Sequence, residues 1–174
     1  MVKAKRRRRR LGRKARNRKD LGTPEARTHR RALIGDADPT LAGYQLGILL
    51  ARGVITHQQH DAGCHYAYLC GRVLGRTKPV SLAESVGGAE LSDAAMEDIT
   101  HRWRQAVTVL FVAGRRSKDA VDNAAAYERL PGWTLRHRPR GSDAADAAAL
   151  VDGLESLVSW RLGRIRAPVL WAAE

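Results

Sequence analysis

The clearest chemical signal in the chain is a set of twelve Lys and Arg residues between Lys3 and Lys19. Arginine forks match phosphate oxygens and also stack on bases. Each phosphate that is neutralised releases counterions, so a tract of this density should bind polyanions tightly at low salt. The predicted phosphate-contacting residues are Lys3, Lys5, Arg6, Arg7, Arg8, Arg9, Arg10, Arg13, Lys14, Arg16, Arg18 and Lys19.

The excess positive charge is confined to the start of the chain. Residues 1–31 hold 15 of the 31 Lys and Arg but only two of the 18 Asp and Glu, so they carry the whole net charge of +13. Residues 32–174 hold 16 residues of each sign and are neutral. Because blocks of like charge repel themselves and act as interaction tails, residues 1–31 are predicted to form a disordered basic arm.

Two modes of nucleic-acid binding are open to this arm. A basic arm can lie along duplex DNA or enter its minor groove, whereas an arginine-rich peptide can fold as a helix in a structured RNA. The stretch RRRRRLGRKARNRK resembles both the basic arms of DNA-binding proteins and the arginine-rich motifs of phage antiterminators. Gly12 in its middle disfavours a continuous helix, and DNA is favoured over RNA.

A second set of candidate contacts follows the short turn at Gly53. It lies at the start of a predicted helix and consists of Thr56, His57, Gln58, Gln59 and His60. A helix-turn-helix reader has this form, because the first residues of its second helix enter the major groove. Gln can read adenine, and Thr or His can reach a phosphate or a base edge. An ordinary α-hairpin with a polar helix start fits the same pattern, so both interpretations stay open.

Basic residues also cluster at two later turns. Arg115, Arg116 and Lys118 lie at the start of the fourth predicted helix, where the helix dipole favours anions. Arg136, Arg138 and Arg140 alternate in the loop before the fifth. Either cluster could contact phosphates, and either could equally be an ordinary solvated turn.

Residues that could bind a metal or catalyse a reaction do not form a complete set. His57, His60 and Cys64 share a helix face by their spacing, but no second ligand cluster completes four ligands. The sequence contains no Gly-rich phosphate loop, nucleophile elbow or H-E-x-x-H pattern. We therefore predict no metal, no cofactor and no enzymatic activity.

Capping residues and apolar periodicity predict about five helices that position these groups. Asp38 with Pro39, the Thr56 and Gln59 capping box, Ser92, Ser117 and Ser142 mark the five starts. No strand alternation interrupts them, so the predicted fold is all-α, with a helix-turn-helix-like hairpin. The predicted helices are Pro39–Ala51, His57–Gly75, Asp93–Ala113, Lys118–Leu130 and Ser142–Leu162.

The predicted organisation is one domain with two flanking segments. The arm covers 1–31, a linker 32–40, the helical domain 41–165 and a tail 166–174, whose Leu170 and Trp171 either dock back or fray. No apolar run of membrane-spanning length follows the basic segment, which argues against a secretory signal and a membrane span. Cys64 and Cys70 fit a reduced compartment. We therefore expect a cytoplasmic protein.

A resemblance to a known family covers about residues 41–165. The matching positions include the pairs Leu46-Gly47, Leu49-Leu50 and Arg52-Gly53, then Ile55, Gln59, Ala62-Gly63 and Tyr66, and finally the run Leu91 to Ala95. The order of these residues resembles that in small helical regulators of phages, prophages and gene-transfer agents in high-GC bacteria. The resemblance implies transcription control, bound to DNA or to RNA polymerase. The long basic arm is a departure from that family.

Three functional hypotheses follow. The first is a DNA-binding regulator whose arm supplies affinity and whose hairpin supplies modest specificity. The second is an RNA-binding antitermination or ribosome-associated factor. The third is a helical adaptor that binds a protein partner, RNA polymerase among the candidates, while its arm tethers it to nucleic acid.

Overall fold

The computed structural model describes residues 22–75, 92–135 and 140–168. Arm residues 1–21, the loop 76–91, Arg136, Arg138, Leu170 and Trp171 lie outside these ranges. Within them the chain forms six α-helices and no strand, as the all-α prediction requires. The helices are α1 (Pro24–Ile34), α2 (Gln45–Ala51), α3 (His57–Val73), α4 (Asp93–Ala113), α5 (Arg115–Val121) and α6 (Ser142–Arg161).

The second and third predicted helices are confirmed as α3 and α4. The backbone N–H of Gln59 donates to Thr56 Oγ1 at 3.3 Å, and Gln59 Oε1 accepts from the Thr56 N–H at 2.9 Å. The predicted capping box therefore forms in full. Ser92 caps α4 by accepting from the Ala95 N–H, and Gly114 ends it.

Helix α3 lies at the centre of a single compact domain. It packs against α2, α4 and α6, so most of its length is covered. Burying each large aliphatic side chain contributes about 1.5–3 kcal/mol, and six leucines at the centre are almost wholly inaccessible to solvent. They are Leu49, Leu69, Leu110, Leu150, Leu154 and Leu157.

Helix α1 corrects the predicted boundary of the arm. It occupies residues that we had assigned to the disordered arm and to the linker, so that part of the assignment is wrong. Thr23 accepts from the Ala26 N–H, Pro24 fills the first turn, and Glu25 places a negative charge near the helix start. At the other end Ile34 is buried, so the core holds the helix in place.

The first predicted helix is divided at Tyr44. Residues Pro39–Gly43 form a 3₁₀ helix, Tyr44 is fully extended, and α2 starts only at Gln45. The bend folds the two pieces against each other so closely that a Cβ at Gly47 would collide with the carbonyl oxygen of Leu41. Local capping signals at Asp38 and Pro39 cannot reveal this packing, which is why a continuous helix was the wrong prediction.

The fourth predicted helix starts earlier and ends differently. Helix α5 begins at Arg115, and Ser117 is buried inside it instead of capping it. Beyond Val121 the chain continues as a π-helical segment, Asp122–Ala126, and not as α-helix to Leu130. Asp122 there accepts hydrogen bonds from the hydroxyl of Tyr66 at 2.6 Å and from Lys118 Nζ at 2.5 Å, which ties the widened turn to α3 and α5.

The fifth predicted helix is confirmed as α6, within one residue of its expected end. Its N-cap is Gly141, at a positive φ of 58°, and not the predicted Ser142. Across the described ranges, no helix combines the length and the apolarity that crossing a membrane would need.

Candidate nucleic-acid interface

Helix α1 is the first helix after the basic arm. The twelve predicted phosphate contacts of the arm, Lys3 to Lys19, lie outside the described residues. Arg27, His29 and Arg31 continue the basic character into α1, and all three side chains are exposed. Sequence reasoning missed them as candidate contacts. The Thr23-Pro24-Glu25 start signal was present, but it lay within a segment that its charge assigned to disorder.

Three of the five hairpin candidates remain at the surface. Thr56, His57 and Gln58 are exposed where α3 begins, directly after the turn at Gly53. The Thr56 hydroxyl is already used as the helix cap. His57 and Gln58 therefore offer the side chains most open to an incoming ligand.

Gln59 points into the protein. It is only 6 % exposed, and its amide is held on both sides. Its Oε1 accepts from the Thr56 N–H at 2.9 Å, and its Nε2 donates to Glu155 Oε2 at 3.1 Å. The side chain joins the start of α3 to α6, so it serves the fold and is not presented to a base edge.

His60 is also engaged within the protein. Its Nε2 is hydrogen-bonded to the Tyr44 hydroxyl at 2.8 Å, and its Nδ1 lies 3.0 Å from Asp61 Oδ1. The side chain is 14 % exposed. These contacts connect α3 to the bend at Tyr44, and they occupy both ring nitrogens.

Cys64 lies beside this histidine, with Sγ 3.6 Å from His60 Nε2. Burial, reinforced by the nearby Asp61 charge, raises the pKa of the Cys64 thiol to about 11, so the group is protonated near neutral pH. A metal ligand or a nucleophile would require the thiolate. Among the described residues, no group of three or more His, Cys, Asp or Glu side chains is arranged to hold a metal ion.

The basic cluster at the start of α5 is largely neutralised. Arg116 donates to Asp146 Oδ1 at 2.7 Å and to the Ser142 carbonyl. Lys118 pairs with Asp122 and is only 19 % exposed. Arg115 is the open member, since it is 90 % exposed and its nearest carboxylate, on Asp119, is 4.0 Å away.

A half-open groove of about 760 Å³ lies between α5, α6 and the segment that joins them. Its lining includes Leu150 and the buried Trp133, so this tryptophan packs within the protein. The charges around it balance. Three lining residues are positive, namely Arg115, Arg116 and Arg129, and three are negative, namely Asp119, Asp143 and Asp146. A polyanion finds no net attraction there.

Two other exposed arginines of the described residues are paired in the same way. Arg102 lies 2.9 Å from Asp98 on α4, and Arg31 lies 2.9 Å from Asp36 just after α1. Residues 32–174 are therefore neutral in sum, and several of their exposed arginines are also paired locally. Comparisons of the chain with protein-family models, with curated proteins and with solved structures found no match in any of the three.

Proposed function

We propose that the protein is a DNA-binding protein of regulatory type, in which the basic arm supplies most of the affinity. The observation that carries this proposal is the separation of charge. All of the net charge of +13 belongs to residues 1–31, and the remaining residues are neutral. The ion pairs of Arg116 and Lys118 support it further, because they reduce the attraction of the basic cluster at the start of α5 for phosphate.

Counterion release gives such an arm its driving force. Duplex DNA carries a condensed layer of cations, and each phosphate contact by Lys or Arg sets some of them free. With six to ten contacts, binding should weaken by about 10³- to 10⁵-fold between 50 and 200 mM salt. The arm has twelve Lys and Arg between Lys3 and Lys19, so it can make that number of contacts.

The exposed start of α3 supports a modest preference among sequences. His57 and Gln58 are free of the structural hydrogen bonds that hold Gln59, and Gln can pair with adenine. Helix α3 is otherwise covered by its neighbours, so it does not offer a long recognition face. We assign sequence preference to this first turn alone, and general affinity to the arm.

Deleting residues 2–19 tests the proposal. The full chain and the deletion variant are titrated with a labelled DNA duplex at several salt concentrations, with fluorescence anisotropy as the readout. Because the deletion removes twelve positive charges and no negative ones, we expect it to abolish most of the affinity and most of the salt slope. Unchanged duplex binding would disprove the proposal.

Competition with a structured RNA of equal phosphate number separates DNA from RNA as the partner. We expect the duplex to displace the RNA at physiological salt. Tighter binding to the RNA would favour an RNA-binding factor. Protein partners that remain bound to the full chain after nuclease treatment would favour the adaptor hypothesis.

A further inference from the structure

Helix α1 holds the end of the arm in a fixed place on the body. Its inner side packs on the 3₁₀ helix Pro39–Gly43 and on α2, with Ile34 buried. Lys19, the last residue of the basic tract, precedes Pro24 by five positions, and an extended chain of that length covers at most about 18 Å. DNA bound by the end of the arm is therefore kept within about half a helical turn of α1.

Two exposed arginines face outward on this helix. Arg27 and Arg31 are four residues apart, so they lie one above the other along one side of α1. Arg27 has no ion-pair partner within the part of the chain that the structure describes. The spacing of the two side chains suits neighbouring phosphates, which arginine forks bind well.

Arg31 already holds an anionic group. Its Nε and one terminal nitrogen both donate to Asp36 Oδ1, at 3.1 and 2.9 Å. The two side chains are 77 % and 85 % exposed, so water weakens the pair and leaves it easy to exchange. The Asp36 carboxylate thus occupies the position that a phosphate oxygen would take.

We propose that α1 extends the DNA interface onto the folded body. Arg27 and Arg31 contact the phosphates next to those bound by the arm, and Asp36 is a built-in competitor that the DNA displaces from Arg31. This inference rests on the proposed function, since it takes duplex DNA as the partner. It adds two contacts and one inhibitory residue that the arm itself does not supply.

Three substitutions in the full chain test it. Arg27→Gln and Arg31→Gln should each weaken duplex binding about fivefold, the effect of losing one exposed charged contact. Each should also lower the salt slope by about 0.9, the value for one phosphate. Asp36→Asn should instead strengthen binding about twofold to fivefold, because it removes the competitor.

The ion pair between Arg102 and Asp98 on α4 gives matched controls. It is also an exposed arginine–aspartate pair, with the same separation of 2.9 Å. Arg102→Gln and Asp98→Asn change the net charge by the same amounts as the α1 variants, so they measure the effect of charge alone. Circular dichroism on every variant confirms that the fold is unchanged.

The outcomes separate this inference from the proposed function. Larger effects at Arg27, Arg31 and Asp36 than at the control pair support it. If the α1 variants behave like the controls while loss of residues 2–19 abolishes binding, the arm alone contacts DNA and the inference is wrong. If that deletion leaves binding intact, the proposed function fails as well.

Discussion

At the scale of single residues, neighbours in the sequence have opposite roles. Gln58 is exposed, whereas Gln59 is buried and bonded to the helix start and to Glu155. Residue type and position near a helix start do not distinguish the two. What separates them is the position of α6, which covers one side of α3 and leaves the other open.

Alanine substitutions at these two glutamines should therefore give opposite results. We expect Gln59→Ala to lower the free energy of unfolding by about 1–2 kcal/mol, because it removes half of the capping box and the bond to Glu155. Gln58→Ala should stay within about 0.5 kcal/mol, as exposed positions usually do. Urea unfolding measures both.

DNA binding by the same two variants should show the reverse order. Gln58→Ala should reduce the discrimination between preferred and unrelated duplexes, since a good base contact contributes about 1–3 kcal/mol. Gln59→Ala should bind like the parent chain at temperatures where it is folded. A loss of discrimination in Gln59→Ala alone would contradict the orientation described here.

At the scale of helices, the contact between α5 and α6 depends on Gly153. A Cβ at that position would lie 2.8 Å from Val121 Cγ2 and 3.1 Å from the carbonyl oxygen of Ser117. Val121 is stiff and fully buried, and Ser117 O belongs to the backbone, so neither can yield cheaply. The glycine lets the two helices approach closely.

Gly153→Ala should consequently destabilise the fold. Overpacking costs about 1–3 kcal/mol, and the better helix propensity of Ala returns up to about 1 kcal/mol, so we expect a net loss of about 1–2 kcal/mol. Urea unfolding is the measurement, with the exposed neighbour Asp152→Ala as the control. A Gly153→Ala variant more stable than its parent would be incompatible with this packing.

Outside the basic segment, sequence signals located two helices whose ends depend on local capping. Thr56 with Gln59, and Ser92 with Gly114, fixed α3 and α4 because their caps are bonds between near neighbours in the chain. The bend at Tyr44 depends on a contact with His60, sixteen residues away. Such distant contacts leave no local pattern, and for that reason the division of the first helix was not predicted.

The candidate interface was predictable in part for the same reason. The charge of the arm can be read directly from its composition. Which charged side chains form ion pairs, by contrast, depends on the fold. Arg116 and Asp146 are 30 residues apart, and their ion pair could not be read from spacing. Lys118 and Asp122 are four apart, yet Tyr66 from another helix completes their arrangement.

At the scale of the whole molecule, the arm and the body divide the work of binding and folding. The described core is complete without the arm, since its buried leucines all come from α2, α3, α4 and α6. Residues 32–174 also carry no net charge that the arm would need to balance. Removal of the arm should therefore lower the affinity for DNA without changing the stability of the fold.

Thermal melting of the full chain and of the variant without residues 2–19 tests this separation. Without DNA, we expect equal Tm values, because the arm contributes nothing to the core. A ligand raises Tm only to the extent that it binds the folded chain more tightly than the unfolded chain. Because the arm keeps its charges when the body unfolds, a duplex bound mainly by the arm should raise the Tm of the full chain by no more than about 2–4 °C, the shift that about 1 kcal/mol produces at this size, and should not raise the Tm of the deletion variant. A lower Tm for the deletion variant in the absence of DNA would mean that the arm belongs to the fold, and equal rises in both proteins would locate DNA binding on the body.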